Sequence, residues 1–265
     1  MDKSQPFTVA EFIHQFREHC PSPGLIATDM DGTLTRQGQF SADLIQALAQ
    51  LQQTGWTVLV VTGRSAGWVQ GIAHYLPVAG AMAENGGVYF PGRDRMEYLT
   101  AIAHPTPHRH ALEEVFVHLQ KHGFDLAPAE DNPFRLTDWT FSIAGLTPTD
   151  LTRMAEICHT LDWGFTYSTV QCHLFPLGQS KAAGLQRVLE RHFPQFAPAQ
   201  VITIGDSPND VSLFDPGRFP QSVGVANVKD YWPHLAHHPR CVTHHPEVDG
   251  FLELTQAILA SPPQD

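Results

Sequence analysis

Apolar residues along the chain follow two alternating rhythms. Short unbroken runs fall at 25–28, 56–61, 78–82, 201–204, 223–226 and 241–243. Runs of this kind, without a polar face, mark strands buried on both sides, as in a parallel sheet. Between them the spacing changes to that of an amphipathic helix. Leu44, Ala47, Leu48 and Leu51 share one face after an N-cap at Ser41, and Gly55 closes that helix. Leu185, Val188 and Leu189 share another face, in a helix opened by Ser180-Lys181. Further helices are expected from about 66 to 76 and from about 248 to 260. Strand and helix in alternation predict an α/β fold: a doubly wound, Rossmann-like parallel sheet with its site at the carboxyl edge.

The rhythm changes at Val88. A hairpin is expected over 88–98, with Pro91-Gly92 at its turn, then a helix at about 109–122 and strand-like segments at 134–136 and 140–144. Pro148 opens a second helix to about 161, followed by strands at 165–169 and 171–175. Antiparallel pairs beside helices read as an α+β module. The chain therefore divides into a core, 1–87 with 178–265, and an inserted module, 88–177.

Ahead of the first strand, Phe12, Ile13 and Phe16 lie at helical spacing in a segment ended by Pro21-Ser22-Pro23-Gly24. This extension either packs on the core or mediates association. Asp2, Glu11 and Glu18 and the lack of an apolar stretch argue against a signal peptide. No run of about 18 apolar residues suggests a membrane span. Lys and Arg number 16 against 27 Asp and Glu, a net charge of −11. That balance disfavours nucleic acid or an anionic membrane as the main partner. Cys20, Cys158, Cys172 and Cys241 are scattered and form no CxxC pair, so free thiols in a cytoplasmic protein are expected.

Residues of ligand type gather where strands end. Asp29-Met30-Asp31-Gly32-Thr33 follows the first strand, and residues two apart in a strand face the same side. Two crowded carboxylates repel unless a proton or cation lies between them. Thr62-Gly63-Arg64 ends the second strand, Glu84-Asn85-Gly86-Gly87 the third, and Gly205-Asp206-Ser207-Pro208-Asn209-Asp210 the strand at 201–204, while Lys181 opens a helix. Taken singly, each could be a turn, a cap or a surface lysine. As a set they hold every part that phosphoryl transfer needs. One carboxylate can attack phosphorus, and a second can move the proton. Oxygen ligands suit a hard divalent cation, and a lysine, a hydroxyl and backbone N–H groups can hold phosphoryl oxygens.

In chain order four of these stretches, the one at Asp29, the one at Thr62, Lys181 and the one at Gly205, resemble the four motifs of the haloacid dehalogenase-like superfamily of phosphatases, with DxDGT the most specific, and Glu84-Asn85-Gly86-Gly87 fits the subgroup named next. The inserted module resembles the cap of Cof-like, sucrose-phosphate-phosphatase-like and mannosyl-phosphoglycerate-phosphatase-like members. The resemblance implies Asp29 as nucleophile and magnesium ligand, and Asp31 as general acid/base with its backbone carbonyl a further ligand. It implies Thr62 and Gly63 on the phosphoryl oxygens, Lys181 offsetting charge, and Asp206 on Mg2+. Asn209 and Asp210 lie close behind, Asp210 orienting metal-bound water or Lys181, and Asn85 is a substrate contact at the cap hinge. Arg64 has two readings, a phosphate or substrate contact and a structural ion pair.

The implied activity is hydrolysis of a small phosphate monoester, such as a sugar phosphate, through an aspartyl-phosphate, by a monomer or homodimer. An aspartate at position 31 separates this chain from members that dehalogenate and from transport ATPases. A phosphomutase remains the enzymatic alternative, and a phospho-ligand binding module without turnover the alternative of another class. A nicotinamide-dependent dehydrogenase lacks its GxGxxG after the first strand. Substrate choice falls to the cap, where Arg135, Asp138, Trp139 and His173 are candidates beside the plainer reading of surface or packing residues. The histidine-rich stretch 234–245 reads as polar loop or as a metal site.

Overall fold

The computed structural model describes residues 7–92, 95–168 and 170–261. Its first part runs α1 (Val9–His19), β1 (Leu25–Thr28), α2 (Ala42–Gln53), β2 (Thr57–Val61), α3 (Ala66–Tyr75), β3 (Gly80–Ala83), β4 (Val88–Phe90) and β5 (Glu97–Tyr98). The middle holds α4 (Pro105–Lys121), β6 (Trp139–Ser142), α5 (Pro148–Thr160), β7 (Trp163–Tyr167) and β8 (Gln171–Pro176). The last part is α6 (Lys181–His192), β9 (Val201–Gly205), β10 (Gln221–Gly224), β11 (Cys241–Val242) and α7 (Glu247–Ala260).

Eight strands form one sheet in the order β11-β10-β9-β1-β2-β3-β4-β5. The first six in that order pair in parallel, Ile26 standing between Val58 and Ile202. The connections run outward in opposite directions from β1 and β9. Such a switch point opens a crevice at the carboxyl ends of the strands. The two faces are covered separately. Ile26, Val60 and Ile202 pack with Phe12, Leu48, Val69 and Phe251 on one side, and Ala27, Leu59 and Val201 with Leu185 and Val188 on the other. Neighbouring residues of one strand thus serve opposite layers, and the strands read as unbroken apolar runs for that reason. The N-terminal extension packs on the core: Phe12, Ile13 and Phe16 are buried in it.

β6, β8 and β7 form a separate antiparallel sheet in that order. Phe116 of α4, Met154 of α5, Phe141 and Leu174 fill its own apolar cluster. Two expectations change. The hairpin at 88–98 forms, but β4 pairs with β3 and prolongs the large sheet, because the turn at 84–87 folds the chain straight back on β3. Residues 134–136 are not a strand. A 3-10 turn covers Asn132–Phe134, and the Asn132 side chain ties it by accepting from Thr140 N at 2.9 Å and donating to Thr140 O at 2.7 Å. The expected strand 165–169 ends at Tyr167, and Thr169 lies outside the described residues.

Among the described residues no helix is long and apolar enough to cross a membrane. The four cysteines are free and buried. In the histidine-rich stretch His244 and His245 both bond Glu253, at 2.8 and 3.0 Å, and no metal-ligand group forms there among the described residues.

Candidate active site

Asp29 stands one residue beyond β1, its N–H still donating to Ile204 O at 2.9 Å. The ladder between β1 and β9 therefore carries the chain to the point where the acidic side chain begins. A helical turn follows at once, with Leu34 N donating to Met30 O at 2.8 Å. Gly32 makes that turn possible. Its φ is +81°, and a Cβ there would lie 2.5 Å from Asp206 Oδ2.

Lys181, the first residue of α6, is wholly buried and reaches Asp29 Oδ1 at 2.5 Å and Asp210 Oδ1 at 2.6 Å. Asp29, Asp206 and Asp210 each present an oxygen within 4.8 Å of the others. Asp210 Oδ2 also accepts from Asp206 N at 3.0 Å and Ser207 N at 3.2 Å. Both Asp210 oxygens are engaged, so this side chain orients Lys181 and shapes the loop after β9. Asp206 is held by Thr33 Oγ1 at 3.1 Å and by Asn227 Nδ2 at 2.9 Å, which also donates to Gly32 O at 3.1 Å.

The charges in this cluster do not balance. Burial pushes the Asp29 carboxyl up to about 7; Lys181 opposes the rise, and Asp210 and Asp31 add to it. Burial, with Asp29 and Asp210, raises Asp206 well above the usual carboxylate range. Burial disfavours the Lys181 ammonium, but Asp210 and Asp29 outweigh it and its pKa is raised. Three buried carboxylates around one ammonium leave surplus negative charge in a medium where charge interacts strongly. An all-oxygen donor set with such a surplus suits a hard divalent cation.

Asp31 faces elsewhere. Its carboxylate takes a fork from Arg64, Nε to Oδ2 at 2.8 Å and Nη2 to Oδ1 at 2.6 Å, and the guanidinium stacks 4.8 Å over Trp68. Thr62, buried beyond β2, accepts from Arg64 N at 3.2 Å. Beyond β3, Glu84 and Asn85 both have left-handed backbones, φ +54° and +52°. Asn85 Oδ1 accepts from Asn209 Nδ2 at 3.1 Å. Asn85 Nδ2 is buried without a hydrogen-bond partner, and a Cβ on Gly63 would lie 3.3 Å from it. A buried, unpaired donor beside the turn expected to hold phosphate is what an anion site requires.

At this edge of the sheet lies a cavity of about 280 Å3, part of it open to solvent. Asp29, Asp31, Thr62, Gly63, Arg64, Ser207 and Asn209 line it from the large sheet, and Ser168, Val170, Gln171 and His173 from the β7–β8 hairpin. Lys181, Asp210 and Asn85 do not line it but bond to Asp29, Ser207 and Asn209, which do. Of the other candidates, Arg135 and Asp138 form a buried ion pair at 2.9 Å, and Trp139 packs against Phe116 and Arg109. Sequence reasoning missed Asn227, whose only signal is its place just past β10, and the wall supplied by Ser168, Val170 and Gln171.

The family model for haloacid dehalogenase-like hydrolases matches residues 26–133 and 148–254. A phosphoglycolate phosphatase of Methanothrix thermoacetophila is 28% identical over 240 residues, covering 89% of this chain and 97% of its own. A phosphoglycolate phosphatase of Halorubrum lacusprofundi is 30% identical over 214 residues, 76% of this chain and 84% of its own. Among solved structures, a Thermoplasma acidophilum protein superposes with a TM-score of 0.72 at 20% identity, covering 91% of this chain and 98% of that one. The sucrose-phosphatase of Synechocystis, solved with sucrose and phosphate, gives 0.63 at 18% identity, with 89% and 98% covered.

Proposed function

The chain belongs to the haloacid dehalogenase-like hydrolases and is a phosphatase, and from that premise we propose that it hydrolyses a small phosphate monoester with magnesium through an aspartyl-phosphate. The observation that carries this reading is the group Asp29, Asp206 and Asp210 around the single ammonium of Lys181. Asp29 and Asp206, with the main-chain carbonyl of Asp31, would hold the cation. Bound there, it supplies positive charge that offsets the carboxylates and the phosphoryl oxygens.

Asp29 keeps Oδ1 on Lys181, leaving Oδ2 to attack phosphorus. The bond to the leaving oxygen breaks as that oxygen takes a proton from Asp31. Water then attacks the aspartyl-phosphate, gives its proton to Asp31, and the bond from phosphorus to Asp29 breaks. Both Asp31 oxygens accept from Arg64, so one must be released before Asp31 carries that proton. Thr62, Gly63 and Asn209 hold the phosphoryl group, and Asn85 stands behind Asn209. The module between β5 and α6 serves as the cap over it.

The names of the curated relatives support phosphoglycolate, a two-carbon substrate, as the first to try, ahead of a disaccharide phosphate. Four free, buried thiols are in keeping with a cytoplasmic setting. The test is phosphate release from phosphoglycolate, sugar phosphates and an aryl phosphate, with magnesium and after chelation. Asp29→Asn should lower turnover by at least about 10³-fold with the fold intact; retained turnover would sink Asp29 as nucleophile.

A further inference from the structure

One buried side chain in the cavity wall has no task in the scheme above. His173, in the middle of β8, is 1% exposed yet lines the cavity. Its Nδ1 lies 2.9 Å from Asp138 Oδ2. The Asp138 carboxylate is in turn gripped by Arg135 Nη1, at 2.9 and 3.0 Å from its two oxygens. The same Nη1 donates to Gly63 O at 3.0 Å. A continuous buried chain therefore runs from the phosphate-binding turn through Arg135 and Asp138 to the imidazole. It fixes the ring's orientation and places the Nδ1 proton toward Asp138. Nε2 is left as the one ring nitrogen with no hydrogen-bond partner among the described residues.

The position of that nitrogen is informative. A Cβ on Gly63 would meet His173 Cε1, the carbon between the two ring nitrogens, at 3.1 Å, so the ring lies against the phosphate turn. In-line displacement puts the leaving group on the side of phosphorus away from Asp29. The β7–β8 hairpin supplies a wall of the same cavity that Asp29 lines. Its lining residues are Ser168, Val170, Gln171 and His173, with no carboxylate among them. Burial holds the free imidazole below its ordinary pKa while Asp138 pulls the other way. An anion arriving at Nε2 would favour the doubly protonated ring, flanked by a carboxylate at each nitrogen.

We propose that His173, oriented by Asp138, reads the leaving group, receiving at Nε2 a carboxylate on the carbon bonded to the ester oxygen. The proposal rests on the phosphatase reading above and narrows its substrate class to phosphorylated 2-hydroxy acids. His173 touches substrate and sets specificity; Asp138 and Arg135 are positioning residues.

The experiment compares phosphoglycolate with ethyl phosphate, which has the same two carbons and no carboxylate. An aryl phosphate serves as a third substrate. The wild-type enzyme should prefer phosphoglycolate. In His173→Asn the ratio of kcat/KM for phosphoglycolate to that for ethyl phosphate should fall about 10- to 100-fold, the loss of one hydrogen bond to a charged group, with most of it in KM. His173→Gln, which offers an amide N–H near the position of Nε2, should recover part of the preference. An equal loss on all substrates would overturn the proposal, because the ring would then serve the phosphoryl group or the fold. A wild-type enzyme that cleaves the aryl phosphate without preferring phosphoglycolate overturns the proposal and leaves the phosphatase reading standing. No turnover of any of the three brings down both.

Discussion

Two buried ionic clusters lie side by side in this molecule, and they are built on opposite plans. Around Lys181, three carboxylates share one ammonium, and Asp29 Oδ2 has no partner among the described residues. Around Arg135, the guanidinium reaches Asp131, Asp138 and the Gly63 carbonyl, and Asp138 also takes His173. Nearby, Glu84 accepts from Ala66 N at 2.9 Å, Thr137 N at 2.6 Å and Thr137 Oγ1 at 2.8 Å. The first cluster is short of positive charge and suits the arrival of a ligand. The second is closed on itself and joins the module to the large sheet, opening only at His173 Nε2. Burial and charge do not by themselves mark a catalytic group; an unmet demand does.

The sharpest way to break this comparison is to make matched changes in both clusters. Arg135→Met leaves Asp131 and Asp138 without their cation, and a broken buried pair costs about 3–5 kcal/mol. Asp29→Asn removes one of three repelling carboxylates while keeping an oxygen for Lys181. Without metal it should raise stability, by up to a few kcal/mol, as it abolishes turnover. Urea denaturation of both variants in chelator reads the two signs. Destabilisation by Asp29→Asn would mean that the Lys181 cluster is balanced without a ligand.

A second, somewhat smaller effect is on pH dependence, to which Glu84 of the second cluster contributes in the same direction as Asp29 of the first. Burial, with Asp138, pushes the Glu84 carboxyl up to about 7, although Arg135 and the bonds from Thr137 and Ala66 hold it back. A folded-state value above the unfolded one means the folded protein keeps a proton that the unfolded chain releases. The resulting stability is full below about 4.5 and is lost as pH rises through about 7, a change of about 3 kcal/mol. Glu84→Gln should lessen that slope in metal-free unfolding measured from pH 4 to 8, leaving the part that Asp29 contributes. An unchanged slope would assign the pH dependence to groups other than Glu84.

The contrast also explains what could be read from the sequence. Asp29, Thr62, Asn85 and Asp206 each stand where an apolar run stops, and the parallel order of the strands brings every such stop to one edge. Local pattern therefore carried the first cluster. The second depends on which loop of one module meets which loop of the other. Glu84 meets Thr137 and Arg135 meets Gly63 across the two modules, and His173 meets Asp138 within the inserted one. No periodicity encodes those meetings. The hairpin at 88–98 was legible as a hairpin, but its sheet was not, because pairing with β3 is decided by the turn at Glu84-Asn85 with its two left-handed residues. Asn132 was hidden for a related reason, since its side chain replaces the ladder a strand at 134–136 would have made.

The smallest expected effect tests the edge of the first cluster. Asn227 donates to Asp206 Oδ2 and to Gly32 O, and its own Oδ1 accepts from Glu247 N at 3.0 Å. It thereby ties an acidic side chain to the turn after β1 and to the start of α7. If Asp206 holds a cation, Asn227 orients that ligand from behind, and losing such a partner typically costs about 10- to 100-fold in metal affinity. Asn227→Ala should raise the magnesium concentration for half-maximal activity by about tenfold, leaving kcat at saturating magnesium much less affected. A fall in kcat that magnesium does not restore would instead tie Asn227 to the shape of the turn that positions Asp29 and Asp31. Either way the residue belongs to the incomplete cluster, since its bonds run to Asp206 and Gly32 and to no group in the Arg135 network.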